Sequence, residues 1–250
     1  MSTTPEQREA VASHPPTQQE GVRVSSFLQP IAAPTVLGYF AAASGFLLFG
    51  VWFAGALGGV TAAGALFPFL LLFSGIGQLA AGVWSIRARD AVGMSLFSVW
   101  GGFWIAYGVL WLLQVVGTIA LPSLPTFGAG FGPLGQVFIY MAVITWTIAF
   151  AALARSPLHF LSQASAAAAA TIASVGLIAG SPGWQEVAGW LFVATSGLFL
   201  YHATATMFNA LFGVVVLPHF SWRREENVIG GHPLQPIAFE DSEPGIKAGH

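Results

Sequence analysis

The polar side chains inside the long apolar runs of this sequence are mostly amides, hydroxyls and indoles. Such groups form hydrogen bonds but do not exchange protons at neutral pH. A catalytic site needs a nucleophile, an acid–base pair or a metal cluster, and the sequence has no cysteine and no His/Asp/Glu group with metal-ligand spacing. It therefore predicts a protein that is not an enzyme, holds no metal or cofactor, and offers hydrogen bonds to a small polar solute.

One histidine, His202, is predicted to lie deep within an apolar run. It could be a proton-sensitive pore residue or a haem ligand, because ionisable groups in a bilayer are commonly functional. It could also be a neutral imidazole hydrogen-bonded to a neighbouring helix, and this interpretation is favoured. His159 and His219 are expected near helix ends, so no second histidine is expected to face His202 and a haem site is not predicted.

Residues 74–82 read SGIGQLAAG within a long apolar run. On a helix, Ser74, Gln78 and Gly82 recur every four residues and share one stripe. This pattern favours a seam of small residues in which Gln78 supplies an interhelical hydrogen bond. The alternative is that the Gln78 amide lines a pore and donates to a passing solute.

A row of aromatic side chains follows at intervals of four, three and four: Trp100, Trp104, Tyr107 and Trp111. This spacing places them on one helical face. Glycines 101, 102 and 108 leave room beside them. The row could face lipid, pack in a core, or line a narrow hydrophobic constriction, and the sequence alone leaves these three interpretations open.

Composition and charge define the elements that carry these residues. The chain is 55% hydrophobic and 7% charged, whereas soluble domains average about 25% charged residues. Residues 24–86, 91–154, 156–185 and 187–222 contain no Asp, Glu, Lys or Arg. Because a transmembrane helix needs about 20 apolar residues, these stretches predict an all-α integral membrane protein with six helices. The predicted spans are residues 36–57, 66–86, 92–116, 134–154, 160–180 and 187–217.

All eight Lys and Arg residues fall on one side of this topology, and the opposite loops carry only Glu186. The positive-inside rule predicts a multi-pass protein of the cell membrane with both termini in the cytoplasm. Residues 1–30 and 219–250 are polar and predicted to be disordered tails around a transport domain at 31–218. No signal-peptide pattern precedes the first helix. A net charge of −2 without a basic cluster argues against nucleic-acid binding.

Several blocks, in order, resemble the acetate uptake transporter family of bacterial and fungal acetate and succinate permeases. Residues 33–39, APTVLGY, resemble its NPAPLGL signature, and 74–82 resemble its GGxxQxxAG element. Residues 97–104, FSVWGGFW, resemble FTSYGSFW, and 188–201, AGWLFVATSGLFLY, resemble AGWIGLICGASAIYL. Residues 209–218, NALFGVVVLP, resemble NEQFGRTVLP. The chain is a divergent member, because carboxylates of the family pattern are replaced by Ser85, Thr206 and Ala210, its Gln by Leu211 and its Arg by Val214.

The resemblance implies a pore in each protomer, assembly into a homohexamer within the lipid bilayer, and passage of acetate or succinate. The predicted pore residues are Pro34, Leu37, Gly38, Gln78, Trp100, Phe103, Trp104, His202 and Asn209. The predicted helix-packing residues are Gly75, Gly82 and Gly101. The leading hypothesis is a transporter or channel for acetate or a similar small monocarboxylate. The alternatives are a facilitator of a neutral solute such as ammonia, water or a small alcohol, and a non-transporting membrane scaffold or sensor.

Overall fold

The computed structural model describes residues 32–57, 59–119 and 132–222, and most of these residues are helical. The helices are α1 (Pro34–Phe53), α2 (Gly59–Phe69), α3 (Gly77–Arg87), α4 (Ala91–Val115), α5 (Gly132–Leu153), α6 (Pro157–Ile178) and α7 (Pro182–Phe212). A π-helical segment, Leu70–Ile76, joins α2 to α3. The described part of the chain contains no strand, so the predicted all-α class is confirmed.

Six helical segments within the described residues are long and apolar enough to cross a membrane. They are Pro34–Phe53, Gly64–Arg87, Ala91–Val115, Gly132–Leu153, Pro157–Ile178 and Pro182–Phe212. The six predicted spans correspond to these segments in order. The largest difference in bounds is in the last helix, which was predicted at 187–217. The tail predicted at 1–30 lies outside the described residues, as does the tail predicted at 219–250 beyond residue 222.

Local sequence signals explain where the helices begin and end. Pro157 and Pro182 stand at the first helical positions of α6 and α7, where a missing N–H costs nothing. The Asp90 carboxylate accepts a hydrogen bond from the backbone N–H of Gly93 and caps α4. Gly213 ends α7 with a left-handed φ of 66°, so the chain turns back five residues before the predicted end of the helix.

The second span contains an irregularity that hydropathy did not predict. Pro68 lies inside α2 and has no N–H to donate to the preceding turn. The π-helical segment Leu70–Ile76 follows directly and holds the buried Ser74 and Gly75. Single π-helical turns inside α-helices are rare and occur often at functional sites. This turn sets the rotation at which Gln78 and the rest of α3 meet α4.

Glycines allow the helices to approach closely at two contacts. A Cβ at Gly50 of α1 would lie 2.8 Å from the carbonyl oxygen of Gly189 of α7. A Cβ at Gly101 of α4 would lie 2.7 Å from the backbone nitrogen of Leu79. These distances leave no room for a side chain. The structure thus brings α1 against α7 and the second span against α4, while α6 packs on α5 and α7.

Candidate functional site

A continuous series of aromatic rings runs along the interior of the helical domain, and we call it the aromatic column. It begins where Trp111 stacks on Phe67, with ring centroids 4.3 Å apart. It ends where Tyr39 stacks on His202, with centroids 4.7 Å apart and ring planes within 8°. Neighbouring rings between these ends have centroids 4.7 to 6.4 Å apart; they are Trp52, Tyr107, Phe49, Phe103, Trp104, Phe138, Trp100, Phe46, Phe192 and Phe199.

The aromatic row of α4 forms one side of this column. Trp100 and Trp104 are 0% exposed, Tyr107 4% and Trp111 1%. The interpretation that this row faces lipid is therefore wrong, because all of its rings point into the protein. The predicted pore residue Phe103 also lies in the column, with its ring centroid 4.9 Å from that of Trp104.

Helices α1 and α7 supply the opposite side of the column, which the sequence analysis missed. Tyr39, Phe46 and Phe49 from α1 and Phe192 and Phe199 from α7 are all buried. Their spacings of seven or three residues return them to one helical face. This periodicity was readable in the sequence, but aromatic residues are so common in the spans that it did not stand out.

The small residues predicted to pack helices lie beside the column. A Cβ at Gly75 would lie 2.7 Å from the Ile105 side chain, and one at Gly82 would contact Ser98. Together with Gly101 they form the contact between the second span and α4. Gly38, which was predicted to line the pore, faces the ring of Phe97, which a Cβ would approach to 2.5 Å.

The Gln78 amide is buried near this contact, and neither its nitrogen nor its oxygen has a hydrogen-bond partner. The interhelical hydrogen bond favoured by the sequence is therefore absent. The Gln78 Cβ lies 3.1 Å from the position that a Cβ on Gly101 would take, so Gln78 lies at the contact between the second span and α4. Buried polar atoms without partners are rare and call for a functional or structural reason.

Other polar groups of the interior share this property, among them an indole and a second amide. The Trp104 indole nitrogen and both amide atoms of Gln163 on α6 are buried without a partner. Trp100 differs, because its indole N–H donates to the Thr145 hydroxyl at 3.2 Å. The interior thus offers uncharged donors and acceptors that a polar solute could use.

Three histidines meet at the end of the column that lies near Asp90, and we call them the histidine cluster. The rings of His159 and His202 have centroids 4.2 Å apart, and His219 lies 5.8 Å from His202 and 6.4 Å from His159. The expectation that no second histidine faces His202 is therefore wrong. His202 belongs to α7, His159 to the first turn of α6, and His219 to the segment that folds back after α7.

Hydroxyl groups and one ion pair surround the histidine cluster. His159 Nδ1 lies 2.7 Å from the Ser156 hydroxyl, and His202 Nδ1 lies 3.4 Å from the Ser162 hydroxyl. His202 Nε2 is buried and has no partner. The described residues contain no group of three or more His, Cys, Asp and Glu arranged to hold a metal ion. Nearby, Arg155 donates to the Asp90 carboxylate at 2.6 Å.

The remaining predicted pore residues lie away from the column. Asn209 is buried but binds the segment after α7, donating to the Leu217 carbonyl at 2.8 Å. Leu37 is 49% exposed on the protomer surface. Pro34 is the first residue of α1. The pore residues predicted from the resemblance therefore include some that lie at helix ends or on the surface as well as some that lie in the interior.

Comparison with known proteins places this architecture in a family of transport proteins. The fold matches the structure of the bacterial acetate channel SatP with a TM-score of 0.68 and 22% identity, covering 76% of this chain and 99% of that one. In sequence the chain is 25% identical over 148 residues to the succinate-acetate/proton symporter SatP of Escherichia coli K12, covering 59% of this chain and 75% of the relative. The SatP proteins of Escherichia coli O157:H7 and Shigella flexneri give the same values. These relatives are transporters or channels rather than enzymes.

The family model for the GPR1/FUN34/yaaH family matches residues 19–222, which include all of the described helices. The match extends over well more than half of the chain. We conclude that this six-span membrane protein belongs to the GPR1/FUN34/yaaH family.

Proposed function

We propose that this protein is a membrane transporter or channel for acetate or a similar small monocarboxylate, which crosses each protomer along the aromatic column. The observation that carries the proposal is the buried column itself. The buried, unpartnered amide of Gln78 at the contact between the second span and α4 supports it, because such an amide could bind a polar solute. The names of the relatives, an acetate channel and succinate-acetate/proton symporters, support the substrate class.

The chemistry of the column favours a small acid that carries little or no charge during passage. Many of its rings meet edge to face, as in the pair Phe46 and Trp100 at 69°. Ring edges are weakly positive and can face a carboxylate oxygen, whereas ring faces accept apolar groups. A bare anion in apolar surroundings is costly, so the neutral acid or a monocarboxylate would pass more readily than a dianion.

A neutral solute such as ammonia, water or a small alcohol is the second candidate. It is favoured by the absence of Asp, Glu, Lys and Arg among the fully buried side chains of the described residues. Flux that ignores pH and membrane voltage would support this candidate. Flux that rises as the pH falls toward the pKa of the acid would support the monocarboxylate.

The orientation is a further proposal that rests on charge, and the assembly into a homohexamer is one that rests on the family resemblance. Arg87, Arg89 and Arg155 lie at the same end as Asp90, which we propose faces the cytoplasm of a cell-membrane protein. Large apolar side chains are exposed on the spans, including Phe73, Val143 and Phe150. These surfaces would contact lipid and neighbouring protomers of a homohexamer.

The primary test of the proposal is uptake of labelled acetate by proteoliposomes. The protein should take up acetate faster than protein-free vesicles, and succinate should enter more slowly. Equal rates for acetate, formate, lactate and succinate in vesicles with and without protein would remove the proposal and leave the neutral-solute facilitator or a scaffold or sensor.

Substitution of Gln78 tests whether the solute passes this amide. Gln78→Leu should lower acetate flux per folded protomer about fivefold, because one hydrogen bond to the solute is worth about 1 kcal/mol. Folding should change little, since the amide has no protein partner to lose. Gln136→Leu, at an exposed position of α5, is the matched control. Unchanged flux in Gln78→Leu would place the route elsewhere.

Substitution of Trp100 tests whether the column limits the size of the solute. Trp100→Ala should raise the flux of bulkier acids relative to acetate, because it removes a large ring from the middle of the column. Trp190→Ala, where the side chain is 50% exposed on α7, is the control. If Trp100 only packs, the variant would lose yield and thermal stability while its selectivity per folded protomer stayed that of the wild type.

A further inference from the structure

The segment after α7, residues 213–222, folds back over the end of the domain that carries the histidine cluster, and we call it the strap. The side chain of Asn209 holds its middle: Oδ1 accepts from the backbone N–H groups of Val216 at 2.7 Å and Leu217 at 3.1 Å. The Asn209 amide group donates to the Leu217 carbonyl at 2.8 Å. Asn209 of α7 therefore holds the strap against the end of the helix that precedes it.

Two further contacts fix the far end of the strap to α5. The Trp222 indole donates to the Leu153 carbonyl at 2.8 Å, and the Ser221 hydroxyl donates to the Arg155 carbonyl at 3.3 Å. Tyr201 donates its hydroxyl to the Pro218 carbonyl at 2.9 Å. The strap thus bridges α7 and the end of α5, across the place where the aromatic column ends.

His219 is the one strap side chain that is buried. Its ring is 5% exposed, whereas the neighbouring Phe220 and Trp222 are 57% and 63% exposed. Its Nε2 lies 3.0 Å from the Thr206 hydroxyl and its Nδ1 lies 3.2 Å from the Asn209 amide nitrogen. Because the Asn209 amide nitrogen can only donate, Nδ1 must accept and be unprotonated in this geometry.

The groups that face His219 offer little compensation for a positive charge. His159 from α6 and His202 from α7 are the nearest titratable rings. Tyr39 of α1 stacks on His202. Asp90, at the start of α4, is the only carboxylate at this end among the described residues, and Arg155 already pairs with it at 2.6 Å. If His219 were protonated, its Nδ1 could no longer accept from Asn209, and its positive charge would lie beside two other imidazole rings.

We propose that the histidine cluster is a proton-operated latch: protonation of His219 releases the strap from the end of the helical domain, and deprotonation docks it. The docked geometry requires an unprotonated Nδ1, whereas a released His219 in water can accept a proton freely. Docking and proton binding therefore compete for the same nitrogen.

The direction of the pH effect follows from linkage. Burial lowers the pKa of His219 below its ordinary value of 6.5. Docking of the strap is thus fully favoured above pH 6.5 and weakens as the pH falls below 6.5, by at most about tenfold in the docking equilibrium per pH unit. Acidification at the Asp90 end should release the strap, and alkaline conditions should dock it.

The consequence for transport rests on the proposed function. The strap covers the end of the aromatic column at Tyr39 and His202, so its release would uncover that end. Acid at the Asp90 end would then raise the flux beyond the increase that protonation of the substrate itself produces.

A spin label on the strap tests the latch without any measurement of transport. The sequence has no cysteine, so Phe220→Cys in the full chain gives a single site for a nitroxide next to His219. In lipid nanodiscs the label should be immobilised at about pH 7.5, and its mobile fraction should rise several-fold at about pH 5.5.

Three variants in the labelled protein complete the design. His219→Gln keeps a polar side chain that does not titrate, so the pH response of the label should be lost. Asn209→Ala removes the docking contacts, so the label should be mobile at both pH values. His232→Gln, outside the described residues, is the matched control for loss of a histidine and should behave as the wild type.

Two results would overturn the latch: a label that stays immobilised at about pH 5.5 in folded wild-type protein, or a His219→Gln variant that keeps the wild-type response. Acetate flux, measured in parallel, separates this proposal from the proposed function. A label that responds to pH in a protein that transports nothing would support the latch and reject the transport role. A normal acetate flux with a label that does not respond to pH would support the transport role and reject the latch.

Discussion

The two ends of the aromatic column are built from different chemistry. At one end the Trp111 ring stacks on Phe67 with centroids 4.3 Å apart. Trp111 also meets Trp52 edge to face, with centroids 5.4 Å apart. At the other end the last aromatic ring, Tyr39, meets imidazoles, hydroxyl groups and the ion pair between Asp90 and Arg155. The first end is held by dispersion and shape, and the second by a hydrogen-bonded network.

This difference separates what each end can control. Ring packing does not change with pH, so the Trp111 end can select solutes only by size and polarity. The Asp90 end contains imidazole rings that can gain a proton, and its strap is docked through one of them, His219, whose pKa is lowered by burial. A route through the protomer would therefore have a permanent filter at one end and an adjustable closure at the other.

The largest expected effect is at the apolar end. Trp111→Ala should lower the free energy of unfolding by about 3 kcal/mol or more, because it removes a fully buried ring stacked on Phe67. The loss should be the same at about pH 7.5 and pH 5.5, since no group in contact with Trp111 changes charge between these values. Thermal unfolding in detergent would measure it. The exposed Trp190→Ala should cost under about 1 kcal/mol, and a pH-dependent loss at Trp111 would break the contrast between the ends.

An intermediate effect is expected at the histidine cluster. Because the pKa of His219 is lowered by burial, wild-type stability should fall as the pH drops below 6.5, by up to about 1.4 kcal/mol per unit until the strap is released. His219→Gln should flatten this dependence. Unfolding midpoints across the range would test it, with His232→Gln as the reference. Parallel pH profiles for wild type and His219→Gln would assign the acid sensitivity to other groups.

The smallest expected effect concerns the ion pair beside the cluster. Asp90→Asn should cost about 1 kcal/mol or less, because Arg155 is 38% exposed and such pairs are weak. Asparagine still caps α4, whereas Asp90→Ala should lose about 1 kcal/mol more with the cap. High salt should shrink the wild-type advantage over Asp90→Asn. Equal losses in the two variants would mean that the cap contributes nothing.

The helices were predictable because each needs only local information. In lipid, the backbone polar groups of a long uncharged stretch can be paired only within a helix. The stretches without charged residues therefore predicted the six spans. Their ends were less certain. Pro182 starts α7 earlier than apolarity alone suggested, and Gly213 ends it sooner, because capping geometry rather than hydropathy decides where a helix stops.

Part of the interior was predictable as well. The spacing of Trp100, Trp104, Tyr107 and Trp111 placed them on one face of α4, but their partners on α1 and α7 could not be deduced from periodicity. For the Gln78 amide, in contrast, the sequence predicted a partner that the structure does not contain. A small-residue stripe suggested an interhelical hydrogen bond, yet this buried amide, which directly follows the π-helical segment, has no hydrogen-bond partner.

The sequence by itself determined that this protein is a six-span helical membrane protein with an uncharged, aromatic interior. Those properties follow from residue types and their spacing along single helices. Only the tertiary structure decided that His159, His202 and His219 meet. They are 43 and 17 residues apart in the sequence and come together because α6 begins beside the part of α7 where His202 lies, and because the chain reverses at Gly213. Contacts of this kind depend on how helices pack and where the chain turns, which no local pattern records.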